Sequence, residues 1–187
     1  MDGRKDNLKM INENITTQRH IIVEPYNAKW KAAFLDIKSE LVNALGELAV
    51  SVEHVGSTSV EGLWAKPIID VDVVIQNYQT FDAVVSALAT IGYMHVGDLG
   101  IVGREAFGYS GKTHLMPHHL YVCTEDSKEL HRHLSFRDYL RCHPEAVIKY
   151  SKAKCEAADK FPYDIDGYMN CKSPCIEELY KKCGVSY

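Results

Sequence analysis

No apolar stretch in the 187 residues approaches the roughly 20 consecutive apolar positions that a membrane span requires. The opening residues MDGRKDNLKM lack the apolar core of a secretory signal. These two absences predict a cytoplasmic protein with no membrane partner. Cysteine occurs at Cys123, Cys142, Cys155, Cys171, Cys175 and Cys183, but no two are spaced C-x₂-C. Cys171 and Cys175 come closest, and neither a second pair nor a nearby histidine completes a zinc set. Free thiols in a reducing compartment are the expectation. Positive charge is also short: 21 Lys and Arg stand against 25 Asp and Glu, for a net charge of −4. With no basic stripe interleaved with aromatics, dedicated nucleic-acid binding is not expected. Repeats and low-complexity tracts are absent. What remains is an ordinary globular composition, 46% hydrophobic and 25% charged, in a chain long enough to bury a sizeable core as one domain.

The most informative stretch runs from Ala49 to Gln76, AVSVEHVGSTSVEGLWAKPIIDVDVVIQ. Ala49, Val50, Val52 and Val55 have the bias of a strand that stops at Gly56. Ser57, Thr58 and Ser59 are all good N-cap residues and predict a short helix. The run from Ile68 to Ile75 is β-branched and apolar, as in a strand inside a sheet, yet Asp70 and Asp72 interrupt it. Residues two apart on a strand share a face, so the two carboxylates project side by side. Left unpaired in an interior strand, they would incur a large desolvation and repulsion penalty. A divalent cation, Mg²⁺ or Mn²⁺, removes that penalty, since Mg²⁺ favours one or two protein carboxylates plus phosphate oxygens. The turn before them can offer N–H groups and hydroxyls to phosphate. A sheet-edge pair neutralised by Lys or Arg is the competing explanation.

The rest of the chain supplies elements around this stretch. Residues 1–20 read as a flexible or partly helical lead-in to a single domain over 21–187, with an α/β core at 21–124 and a helical part at 125–187. A helix from Asn27 to about Leu48 buries Trp30, Ala33, Phe34, Ile37, Leu41 and Leu45. A second spans Tyr78 to Ile91, and Tyr93 to Val96 is a strand. Ala106 to Ser110 is predicted to form an antiparallel hairpin with His114 to Met116 through a turn at Ser110-Gly111-Lys112. In His118 to Cys123, alternation sets His118, Leu120 and Val122 on one face and His119, Tyr121 and Cys123 on the other. A helix opening at Ser127 carries Arg137 and Arg141 on one side. Pro144 starts another, Asp164 to Cys171 forms a short element, and Pro174 to Cys183 a last helix. Lys149, Lys152, Lys154 and Lys160 are expected on a solvated face. The order of elements predicts an α/β (α+β) fold with a mixed sheet and a helical C-terminal part.

Several of these motifs together resemble the GrpB-like family, placed in the nucleotidyltransferase (polymerase-beta-like) superfamily. The resemblance rests on His54-Val55-Gly56-Ser57-Thr58-Ser59-Val60, Gly62-Leu63 and Ala65 to Asp70. It continues in His118 to Val122, in Phe136 to Arg141 with His143-Pro144, and in Tyr168 with Lys172, over about residues 20 to 180. It implies a nucleotidyltransferase-like fold. In polymerase-beta-like enzymes a third carboxylate on a neighbouring strand completes a two-metal site. Here no Asp or Glu occupies the strand of His119, and Tyr121 stands where GrpB-like proteins often carry a second histidine.

These readings combine into a metal-dependent nucleotidyltransferase that moves a nucleotidyl group from a nucleoside triphosphate to an acceptor. Asp70 and Asp72 hold the metal, and His119, with an ordinary pKa of about 6.5, serves as ligand or general base. Gly56, Ser57, Thr58 and Ser59 hold phosphate, with Lys66, Arg104, Arg137 and Tyr121 as further nucleotide contacts. Arg137 has an ordinary alternative, pairing with Asp138 or another acid. The missing third acid favours a non-catalytic nucleotide- and metal-binding module instead, and a metal-dependent phosphoesterase would use the same residues with water as acceptor.

Overall fold

A computed structural model describes residues 20–184, so the lead-in expected over residues 1–20 lies, His20 apart, outside the described residues. Helix α1 (Lys29–Leu45) opens where the Asn27 side chain accepts from the Lys29 N–H at 3.0 Å. Its Trp30, Phe34, Ile37, Leu41 and Leu45 recur at helical spacing and are all buried. Strand β1 (Ser51–Val55) leads through Gly56 into a single 3₁₀ turn, Ser57–Ser59, and then to β2 (Ile69–Ile75). Helix α2 (Phe81–Thr90), β3 (Tyr93–Gly97), β4 (Glu105–Tyr109) and β5 (His118–Thr124) follow. Three helices close the chain: α3 (Lys128–Cys142), α4 (Pro144–Lys160) and α5 (Ile165–Lys182).

The five strands form one mixed sheet in the order β1-β2-β5-β4-β3. Only β2 and β5 run parallel, and they place Asp70 opposite His119 and Asp72 opposite Tyr121. On one face, Ile69, Val71, Val73 and Ile75 of β2 pack with Leu120 and Val122 under the apolar faces of α1 and α2. Burying those four β2 side chains contributes together roughly 6–12 kcal/mol. That exceeds the several kcal/mol a buried carboxylate costs, so β2 can stay central with Asp72 on its opposite face. On that face, Val74 and Cys123 pack against Leu130 and Leu134 of α3. A separate cluster joins Val60 and Leu63, just past the 3₁₀ turn, to Leu140, Val147, Tyr150 and Leu179 of the three C-terminal helices. The helical layer is therefore packed directly onto the Gly-Ser turn.

Three expectations need correction. The hairpin partner of β4 is β5 itself, with Phe107 opposite Leu120, and residues 110–117 are the loop between them. That loop is tied down by Lys112, which reaches Glu40 of α1 and lies over the Tyr93 ring at 4.4 Å. Helix α5 runs without interruption through Pro174. Proline removes one backbone bond and crowds the preceding turn, but the packing of Tyr168 before it and Leu179 and Tyr180 after it keeps one helix. Lys154, assigned to a solvated face, is only 2% exposed. All six cysteines are free thiols, as expected. No helix among the described residues is long and apolar enough to cross a membrane.

Candidate functional site

Asp70 lines the floor of a cleft of about 230 Å³ between the sheet and the C-terminal helices, and Asp72 lies buried next to it on the same face of β2. Asp70 is partly open, whereas Asp72 is 0% exposed. An imidazole meets each carboxylate. His119 Nδ1 donates to Asp70 Oδ1 at 2.9 Å, and His133 Nδ1, arriving from α3, donates to Asp72 Oδ2 at 2.7 Å. The remaining oxygen of Asp72, Oδ1, is buried with no hydrogen-bond partner.

Gly56 makes the first wall possible. Its φ of 66° and ψ of −170° fall in a region that is essentially glycine-only. A Cβ there would lie 2.1 Å from Asp70 Oδ2, inside the carboxylate. The turn can therefore sit directly on the acidic pair, with Ser57 facing the cleft. Its two neighbours turn elsewhere. The Thr58 hydroxyl donates to the Ile68 carbonyl at 3.3 Å and meets His54 Nε2 at 3.0 Å, while Ser59 Oγ donates to the Gly56 carbonyl at 2.6 Å. The Thr58 and Ser59 hydroxyls are thus engaged within the turn, and of the three only Ser57 lines the cleft.

Lys172 lines the second wall, with Lys66 and Lys154 close to it. Lys154 donates to Ser57 Oγ and, at 3.0 Å, to the Trp64 carbonyl, with its ammonium 4.0 Å from the Tyr150 ring centre. Lys66 and Lys172 lie at 5.5 and 4.9 Å from the Tyr168 ring. Among the described residues, lysine ion pairs belong to Lys112, Lys149, Lys152 and Lys182. Lys66, Lys154 and Lys172 join none of them. Burial pushes all three ammonium groups down, and the nearby Asp70 charge only partly opposes it. Lys154 drops well below the ordinary lysine range, and Lys172 falls to about 8, with Lys66 repulsion adding to its burial. Holding three such lysines in the charged form together is costly, and an anion beside them offsets that cost.

The third wall is Arg104 stacked on Tyr121 at 4.2 Å, with Arg104 Nε buried and unbonded. Burial raises the Tyr121 hydroxyl above its ordinary range, and Arg104 opposes this. Arg137 also borders the cleft, but its guanidinium is engaged by Glu53 at 3.0 Å, Asp138 at 2.8 Å and the His54 carbonyl. The ordinary fate of Arg137 is the one observed. Arg141 leaves the cleft and donates to the Ser59 carbonyl at 2.9 Å.

The structure therefore joins Asp70, Asp72, His119, Gly56, Ser57, Lys66, Arg104 and Tyr121. It adds His133, Lys154 and Lys172. Lys154 had a signal, since Val147, Tyr150, Ser151, Lys154, Ala157 and Ala158 make one continuous buried face of α4. His133 likewise sits beside Leu130 and Leu134 on the side of α3 that meets the sheet. One tempting motif is excluded. Gly111-Lys112-Thr113 looks like the end of a phosphate loop, but it links two strands rather than opening a helix, and its lysine is committed to Glu40.

The donor set fits a Mg²⁺-type ion better than a closed cage. Among the described residues no three His, Cys, Asp or Glu side chains converge as a metal site. Two adjacent carboxylates, one with a bare buried oxygen, match a cation that shares its shell with substrate phosphate and water.

The mixed sheet with its acidic pair beside a Gly-Ser turn places this chain among the nucleotidyltransferase-like folds. The GLD-2/RNP-8 complex superposes with a TM-score of 0.57 at 11% identity, over 86% of this chain and 62% of that one. The Cid1 poly(U) polymerase with Mg 3′-dATP bound gives 0.50 at 12% identity, over 82% and 46%. At these identities the likeness is one of fold. Within that class the chain belongs to the GrpB protein family, whose profile matches residues 20–182. The conserved protein GrpB from Enterococcus faecalis superposes with a TM-score of 0.77 at 34% identity, over 87% of this chain and 96% of that one. The glutamate-rich protein GrpB of Alkalihalophilus pseudofirmus is 31% identical over 85% of this chain and 93% of its own length. YqkA of Bacillus subtilis is also 31% identical, but the chain spans only 46% of its length.

Proposed function

We propose that this protein is a metal-dependent nucleotidyltransferase acting on a nucleoside triphosphate. The observation that carries the reading is the gathering, around one cleft lined by Gly56, Ser57, Asp70 and Lys172, of the buried Asp72 and of Lys66 and Lys154, the three lysines having no carboxylate ion pair. Ser57, Lys154, Lys172 and Lys66 hold the terminal phosphates, and Arg104 and Tyr121 line the other side. Asp70 and Asp72 hold Mg²⁺, which, when bound, polarises the phosphoryl oxygens and offsets the charge of the acidic pair. An acceptor oxygen attacks the α-phosphorus, the bond to the bridging oxygen breaks, and pyrophosphate leaves. With its Nδ1–H directed to Asp70, His119 keeps Nε2 free to take the acceptor proton. Positioning and electrostatics supply most of the acceleration.

A second reading, a binder that retains the nucleotide without turnover, is favoured by β5 itself: His119 and Tyr121 stand there with no carboxylate. Calorimetric titration of the four nucleoside triphosphates, with and without Mg²⁺, tests the site on the wild type and on Asp70→Asn/Asp72→Asn. Magnesium-dependent binding that the double variant loses is expected. No binding by the wild type would sink both readings. With binding in hand, release of pyrophosphate from labelled nucleotide marks a transferase, inorganic phosphate or a monophosphate marks a phosphoesterase, and neither marks a binder.

A further inference from the structure

We propose that His133 is a positioning residue, which orients the Asp72 carboxylate so that its Oδ1 is the oxygen presented to a divalent cation. The inference rests on the metal-dependent reading above and adds a residue to it. Asp72 is 0% exposed, so water cannot settle its orientation. His133 ties Oδ2 at 2.7 Å, and Oδ1 is left buried without a partner. A buried acceptor in that condition costs on the order of 1–3 kcal/mol, more when charged, which a cation at Oδ1 relieves.

The imidazole is itself held in place. Its Nε2 lies 3.9 Å from Glu129 Oε2, and Glu129 in turn accepts from Arg132 Nη2 at 2.6 Å. The helix carrying this chain is seated on the sheet by Leu130 and Leu134 against Val74 and Cys123. His133 is therefore fixed by helix packing, and through it the rotamer of Asp72 is fixed as well. With Nδ1 committed to Asp72, the imidazole acts on the ion's site through that carboxylate. Hydrogen-bonded partners of metal-binding carboxylates typically account for about 10–100-fold in metal affinity.

The test uses the intact chain with Mn²⁺ alone as probe, free Mn²⁺ being counted by its paramagnetic resonance signal. His133→Ala is expected to weaken Mn²⁺ binding about 10–100-fold. His133→Asn, whose amide N–H falls near the place of Nδ1, is expected to recover most of that loss, with His133→Gln recovering little. A thermal melt of each variant accompanies the titrations. A residue that serves only packing would change the melts without separating Asn from Gln. If His133→Ala does not fold, the Asn and Gln variants decide between them, and equal affinity overturns the inference. Tight Mn²⁺ binding by wild type and His133→Ala alike overturns it too, while leaving the metal-dependent reading intact. No Mn²⁺ binding by the wild type overturns both.

Discussion

Gly56 shows how much of the site depends on one missing methyl group. A Cβ at this position meets the Asp70 carboxylate at 2.1 Å, and the backbone occupies a region that side chains avoid. Gly56→Ala is expected to lose at least about 1–3 kcal/mol from strain alone, read as a lower urea midpoint, and to displace Asp70. Nucleotide binding should fall with it, and a variant with wild-type stability would show that the turn is not held as described. Lys154 makes the opposite case, a residue kept against the interest of stability. It is buried with hydrogen bonds to Ser57 and Trp64 but no ion pair. Lys154→Met removes a buried amine that burial disfavours in its charged form while keeping much of the volume, so stability should hold or rise while affinity for inorganic tripolyphosphate drops. Lys172, at about 8 in the free protein, makes that affinity depend on pH. Only the protonated amine attracts the anion, so binding is full below pH 8 and weakens as pH rises through it. Lys172→Met should bind more weakly at neutral pH and lose the inflection, while an unchanged inflection would assign it to another group. These single residues were partly legible. Gly-Ser and Asp-x-Asp announce themselves by type and spacing. Lys154 hides in a lysine-rich helix until the apolar residues around it are read as a face.

At the scale of elements, short-range patterns are legible where one periodicity rules. The alternation in β5 sorted His118 to the core and His119 to the cleft, as its buried and exposed positions bear out. The apolar run of β2 with two acids two apart predicted a strand with two different faces. Pairing was harder, because which strand lies beside β4 depends on the loop over residues 110–117, and that loop is set by the distant Glu40–Lys112 contact. Local preference predicts a break at Pro174, and tertiary packing overrides it to keep α5 one helix. A proline inside a helix costs about 3 kcal/mol relative to alanine. Pro174→Ala is expected to raise stability by up to that amount, measured by urea denaturation, with metal and nucleotide binding unchanged. A loss of stability instead would mean that a bend at Pro174 is needed to seat Leu179 and Tyr180.

Over the whole molecule, charge is distributed in a way that no single motif reveals. The sheet contributes the acids and the C-terminal helices contribute Lys154, Lys172 and His133, so the site exists only where the two layers meet. The sequence, read locally, placed the acidic half and missed most of the basic half for that reason. On the other face of the sheet, stability against acid depends on His54. Its ring is stacked on Phe34 of α1 at 4.6 Å and joined to Thr58 in the Gly-Ser turn. Burial, aided by Arg141 and Arg137 and opposed by Asp70, lowers its pKa from 6.5 to about 4. Between those values the unfolded chain binds the proton and the folded chain does not, so stability rises with pH across the window. The contribution is fully present above pH 6.5 and is lost as pH falls towards 4, on the order of 2 kcal/mol once partial exposure is discounted. Glu40 is lowered despite burial by its bonds to Lys112 and His114, so its own contribution fades only below the carboxylate range near 4.5. Burial lowers His118 as well, so urea unfolding at pH 7.5 and pH 5 isolates His54 only as the difference between the wild type and a variant at that position. The wild type should lose stability over that step, and His54→Gln, which keeps a donor for Thr58 but cannot titrate, should lose distinctly less. Parallel losses in the two proteins would move the acid sensitivity away from the seam between α1, β1 and the Gly-Ser turn.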